Sequence, residues 1–122
     1  MPNQGDVRKL ALSLPDTTED TDGSFTFRVN GRLLVWLWRE RVDPKRAKVP
    51  NPDVVVLPVR DEMDKQTLIE LDPQVIFTEP HYDGYAMVLV RLSKVDRAML
   101  EQLIRDAWSL QSAKPAGRRR RG

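Results

Sequence analysis

Chemistry in this chain is most naturally sought at one polar turn, Pro80-His-Tyr-Asp-Gly84, which carries the sole histidine, His81, beside Tyr82 and Tyr85. A nucleophile or general base needs a second group to orient it, and a catalytic metal needs several histidine, cysteine or carboxylate ligands. There is no second histidine and no cysteine to complete a dyad or a metal triad. Asp83 stands too close in the chain to do more than shape the turn. The turn therefore reads as structural, with His81, Tyr82 and Tyr85 as a candidate contact surface, because aromatic groups on loops serve recognition. No catalytic residue, metal or cofactor is assigned, and the chain is expected not to be an enzyme.

The carboxylates fall into two groups: Asp16, Glu19, Asp20 and Asp22, and then Asp61, Glu62, Asp64, Glu70 and Asp72. Neither has the spacing of a calcium loop, so solvated surface is preferred over a cation site. The cations are more informative. Arg39, Arg41, Lys45, Arg46 and Lys48 lie between Arg39 and Pro52, where Glu40 and Asp43 leave a net +3. For this stretch taken alone, a solvated connection is preferred over a loop that contacts phosphates. A second basic group, Arg118, Arg119, Arg120 and Arg121, stands with Lys114 in the last eleven residues.

Of 20 Lys and Arg, removing those five leaves 15 against 18 acids, or −3 for residues 1–111. The formal +2 of the chain thus belongs to its end, and the body is no basic nucleic-acid platform. The 122 residues suffice for one core, and 40% apolar with 31% charged residues is an ordinary globular composition. No apolar run approaches the roughly 20 residues of a membrane helix, and no signal-peptide core is seen. With no cysteine, a cytoplasmic location is the simplest expectation.

The elements that must position these residues follow from periodicity. Val7, Leu10, Ala11 and Leu14 space a first helix, capped by Gly5 or Asp6 and stopped by Pro15; a turn-rich acidic loop, 16–23, follows. Phe25, Phe27 and Val29 alternate along a strand, and Asn30-Gly31 predicts a type I′ hairpin into Arg32–Trp38. Trp36 and Trp38, two apart, share one side of that strand, with core packing preferred over base stacking. Asp53–Val59 reads as another buried strand. Asp61–Leu71 reads as a short helix with Met63, Thr67, Leu68 and Leu71 inward. Val75–Thr78 and Tyr85–Leu92 are strands around the histidine turn. Ser93 caps a last helix, answered by Asp96, whose stripe is Val95, Met99, Leu103, Ala107 and Leu110. Residues 1–111 are expected to form a single domain, and 112–122 a disordered basic tail.

Leu14-Pro15 with Thr18-Glu19, Phe27-Arg-Val-Asn-Gly-Arg32, Phe77-Thr-Glu-Pro-His-Tyr-Asp-Gly84 and Val88-Leu-Val-Arg-Leu92 together resemble the MmcQ/YjbR family. Ala107-Trp108 and Lys114-Pro115 fit the same pattern, so the resemblance covers residues 6 to about 115. It implies a frataxin-like (CyaY-like) α+β fold, two terminal helices on one face of a five-stranded, mostly antiparallel sheet. The element order adds a short extra helix. The resemblance also implies DNA binding through a "double wing" of β elements; it transfers no catalytic residue, and the arginine run lies outside its pattern. The expected function is low-specificity binding of double-stranded DNA, weak and salt-sensitive, by a monomer. Arg39, Arg41, Lys45, Arg46, Lys48 and Arg118–Arg121 would carry it. The alternative is a protein- or ligand-interaction module using the His81–Tyr85 turn and the exposed sheet face.

Overall fold

The chain opens on a capping box: Asn3 Oδ1 accepts the Asp6 N–H at 3.1 Å, and the Asp6 carboxylate accepts the Asn3 N–H at 3.0 Å. In this computed structural model, which describes residues 2–113, the helix so capped is α1, Gln4–Leu12. Asn3, rather than Gly5 or Asp6, is the cap, because its short carboxamide satisfies an otherwise unpaired first-turn N–H. Val7 and Ala11 are the buried positions of α1.

Strands β1 (Thr17–Glu19), β2 (Thr26–Val29), β3 (Arg32–Glu40) and β4 (Val49–Pro58) follow, then α2 (Glu62–Leu71), β5 (Ile76–Phe77), β6 (Met87–Arg91) and α3 (Arg97–Ser112). All strand pairs are antiparallel in one six-stranded sheet ordered β1-β2-β3-β4-β6-β5. The α+β class and the terminal helices on one face are as expected. The sheet has six strands instead of five because the acidic loop supplies β1, whose Thr17 and Glu19 pair with Val29 and Phe27. Three residues rich in threonine and acid carry no strand periodicity of their own; pairing to β2 makes the strand.

The β2–β3 hairpin turns at Asn30 and Gly31 with φ of 52° and 80°, the positive pair that a type I′ turn requires. The main core lies between the sheet and the helices, from Phe27, Val35, Leu57, Val88 and Val90 to Leu100, Ile104 and Ala107. Trp108 Nε1 donates to the Pro15 carbonyl and Gln111 Nε2 to the Leu33 carbonyl, which fixes the end of α3 across the fold.

Two caps and one helix face differ from expectation. Asp96, not Ser93, caps α3, accepting the Met99 N–H at 2.7 Å. Ser93 instead donates its hydroxyl to Asp53 at 2.6 Å, tying the β6 exit to β4. On α2, Met63 and Leu71 are exposed, and the buried side chain is Lys65. The inward row is Lys65, Leu68 and Ile69, neighbours at helical spacing; Met63 and Thr67 fall off it. Ser112 closes α3, and 114–122 lie outside the described residues.

Candidate functional site

Two neighbouring surfaces gather the candidate residues. The first is the far end of the β3–β4 hairpin. β2 pairs with β3 only as far as Trp36, and β6 pairs with β4 only from Val54. Arg39 and Glu40 pair with Pro50 and Val49 alone, so the hairpin runs past the sheet as a two-stranded ribbon. The expected irregular loop is therefore shorter, because both strands extend into it.

The ribbon closes on Asp43-Pro44-Lys45-Arg46, with the Arg46 N–H donating to the Asp43 carbonyl at 3.0 Å. Proline at the second position and aspartate at the first suit such a turn. The Asp43 carboxylate also accepts the Lys45 N–H at 2.9 Å, and Arg41 donates to the Arg46 carbonyl. Arg39, Arg41, Lys45 and Arg46 are exposed and Lys48 is half-exposed. Arg46 pairs with Asp43 at 3.5 Å, whereas Arg39, Lys45 and Lys48 form no ion pair with any described residue. Of the five internal cations singled out from the sequence, Arg39 lies in β3, and Arg41, Lys45, Arg46 and Lys48 lie in the loop that closes the ribbon. Arg118, Arg119, Arg120 and Arg121 lie outside the described residues.

The second surface is the sheet face opposite the helices. Val54, Val56 and Leu89 form a small buried patch there, overlaid by Trp36, Trp38, Phe77, Tyr82 and Met87. Both tryptophans are half-buried against this patch, in keeping with a packing role. Trp38 meets Phe77 edge-on at 6.0 Å, and the Arg91 guanidinium lies 4.1 Å above the Phe77 ring. Pro80–Tyr82 is a single 3-10 turn, followed by Gly84 at φ 84°. It sets His81 edge-on to Tyr82 at 5.1 Å. Trp36, His81, Tyr82, Tyr85 and Met87 line an open cleft of about 220 Å³.

The turn is held from beneath by Lys65, which the hydrophobic pattern of α2 does not single out. Its Nζ donates to the Tyr82 carbonyl at 2.8 Å and the Tyr85 carbonyl at 2.9 Å, with only 1% of the residue exposed. A buried ammonium is tolerated only where acceptors replace its water. The available clue was positional: Lys65 precedes Leu68 and Ile69 by one helical turn on the inward row of α2.

The acidic loop is already engaged. Glu19 accepts two bonds from Arg8, each 3.0 Å, and Asp20 pairs with Arg28 at 3.0 Å. The Arg8 hydrogen bond holds the Glu19 carboxyl below its usual range, and the Ser24 side chain and N–H do the same for Asp22. Among the described residues no group of three His, Cys, Asp or Glu is arranged to hold a metal ion. No described helix is long and apolar enough to cross a membrane.

A family model described as YjbR matches residues 12–110. The curated relatives include the "Uncharacterized protein Rv2570" of Mycobacterium tuberculosis and the "Uncharacterized protein Mb2600" of Mycobacterium bovis. Each is 38% identical over 120 residues, spanning 93% of this chain and 92% of the relative. No solved structure gives a significant match.

Proposed function

The chain belongs to the YjbR family, and from that footing we propose that it is a monomeric, cytoplasmic, non-enzymatic protein that binds double-stranded DNA with low sequence specificity. The observation that carries the reading is the β3–β4 ribbon, on which Arg39, Arg41, Lys45, Arg46 and Lys48 are collected beyond the body of the sheet. A two-stranded ribbon is one of the two elements that the major groove admits, and exposed cations at its end reach phosphates on either side. The ribbon would be one wing; the Asn30-Gly31 hairpin, followed by Arg32, is the candidate for a second. Lys and Arg on phosphates attract without reading bases, and the body carries −3, so binding is weak and falls steeply with salt.

The arginine run adds nonspecific attraction. Duplex binding by the full-length protein, compared with a version ending at Ser112, tests its share. With all five tail cations on phosphates, truncation lowers the log-log salt slope by about 4 to 5 units. Absence of any duplex binding by the full-length protein at low salt refutes the proposal.

The cleft between Trp36 and Tyr85 favours a second reading, an interaction module for a protein or small ligand at the His81–Tyr85 turn. Duplex binding unaltered by loss of the ribbon cations would favour it.

A further inference from the structure

Trp36, Val56, Leu89 and Phe77 stand in register across β3, β4, β6 and β5, one row spanning four strands on the face that the helices leave open. Trp38, Tyr82 and Met87 extend the row into a patch, and Arg91 lies on it above Phe77. Among the described residues, only the Pro80–Tyr82 turn covers part of this face. Tyr85 stands at its edge with 59% of its surface exposed, although it lines the same cleft as Trp36.

We propose that this face stacks the bases of a single-stranded nucleic acid whose phosphates run onto the β3–β4 ribbon. The proposal rests on the reading of the ribbon as a phosphate-contacting surface and gives the neighbouring face its occupant. Charge complementarity selects that occupant. β3 carries Trp36 and Trp38 and leads into the ribbon, whose first cation, Arg39, lies roughly 10 Å beyond Trp36 at about 3.3 Å per residue and on the alternate side of the strand. Arg91 places a further cation on the face itself. At the opposite margin Glu79 and Asp83 flank the 3-10 turn and disfavour phosphate there. A strand is thereby oriented, bases over the aromatic patch and toward the cleft, backbone toward the ribbon and Arg91. Paired bases hide their faces in the duplex stack, so the patch acts on unpaired ones, each of which offers a π-face whatever its identity.

The test uses full-length protein with Trp108→Phe, which leaves Trp36 and Trp38 as the only fluorophores of their kind. Oligothymidylate and a blunt duplex of equal length are titrated at two salt concentrations. The expected result is quenching by the single strand. Tyr85→Ala, a change at an exposed side chain, weakens single-strand binding by about 5- to 100-fold and leaves duplex affinity unchanged. Arg39→Ala, Arg41→Ala and Arg46→Ala together weaken both ligands. Duplex binding with no quenching by the single strand, or with single-strand affinity indifferent to Tyr85→Ala, overturns the platform while the ribbon reading stands. Binding of neither ligand removes both. A dimer in sedimentation that Tyr85→Ala dissolves, with no quenching, assigns the face to a second copy and likewise overturns the proposal.

Discussion

Lys65 shows how one side chain joins the core to the candidate surface. Its ammonium replaces lost hydration with the carbonyls of Tyr82 and Tyr85, and so fixes the turn that carries His81. Lys65→Met keeps much of the apolar stem but removes the ammonium bond to each carbonyl, leaving the Tyr82 carbonyl with the Tyr85 N–H and the Tyr85 carbonyl with the Met87 N–H. The expected loss is about 2 to 3 kcal/mol in urea unfolding, the range for bonds to a charged group; an unchanged midpoint and slope would show that the turn is held by other contacts. The N-terminal carboxylates make a second residue-scale case. Asp6 lies below its ordinary 3.8, first through the Arg97 hydrogen bond and then the Asn3 N–H, and Glu19 below its ordinary 4.5 through Arg8. Carboxylates depressed in the folded state stabilise it fully above their unfolded values, and that contribution is lost as pH falls through the lower folded values. The melting temperature should therefore drop on acidification below about pH 4. Asp6→Asn together with Glu19→Gln should flatten that acid limb, and an acid limb as steep as the wild type's would assign it to other carboxylates.

The elements show where sequence is sufficient and where it is not. Asn30-Gly31 predicted its hairpin because the left-handed requirement is local, and both residues have positive φ. Gly31→Ala should accordingly cost about 1 kcal/mol in thermal or urea unfolding, the penalty for a Cβ in that region; a neutral substitution would mean that the turn relaxes to another type. The stripe of α3 was equally legible, since Leu103 and Ala107 recur at helical spacing and both are buried. β1 was not, because Thr17–Glu19 becomes a strand only through its partner β2. The inward face of α2 departs from its hydrophobic pattern for a related reason. Hydrophobicity assigns the core to methionine and leucine, yet Met63 and Leu71 face out and a lysine faces in. The carbonyls that make this favourable come from a turn 17 and 20 residues further along. The ribbon lay between these extremes. Its cations were visible in the sequence, but their common placement needed β3 and β4 to continue past their neighbours, which a proline-rich stretch conceals.

At the scale of the molecule, charge is segregated rather than large. A body of net −3 gathers five of its fifteen cations at one ribbon, next to an aromatic sheet face. Such an arrangement draws a polyanion to one place while the remaining surface repels it, so affinity stays modest and ionic strength governs it. The α+β fold is clear from the structure, but a fold alone does not supply an activity. The most direct test is the salt dependence of duplex binding by the full-length protein, set beside the same chain with Arg39, Arg41 and Arg46 changed to Ala. Three lost phosphate contacts should lower the magnitude of the log-log slope by about 3 units, with affinity reduced most at low salt. Superimposable slopes and affinities for the two proteins would contradict the ribbon as the binding element.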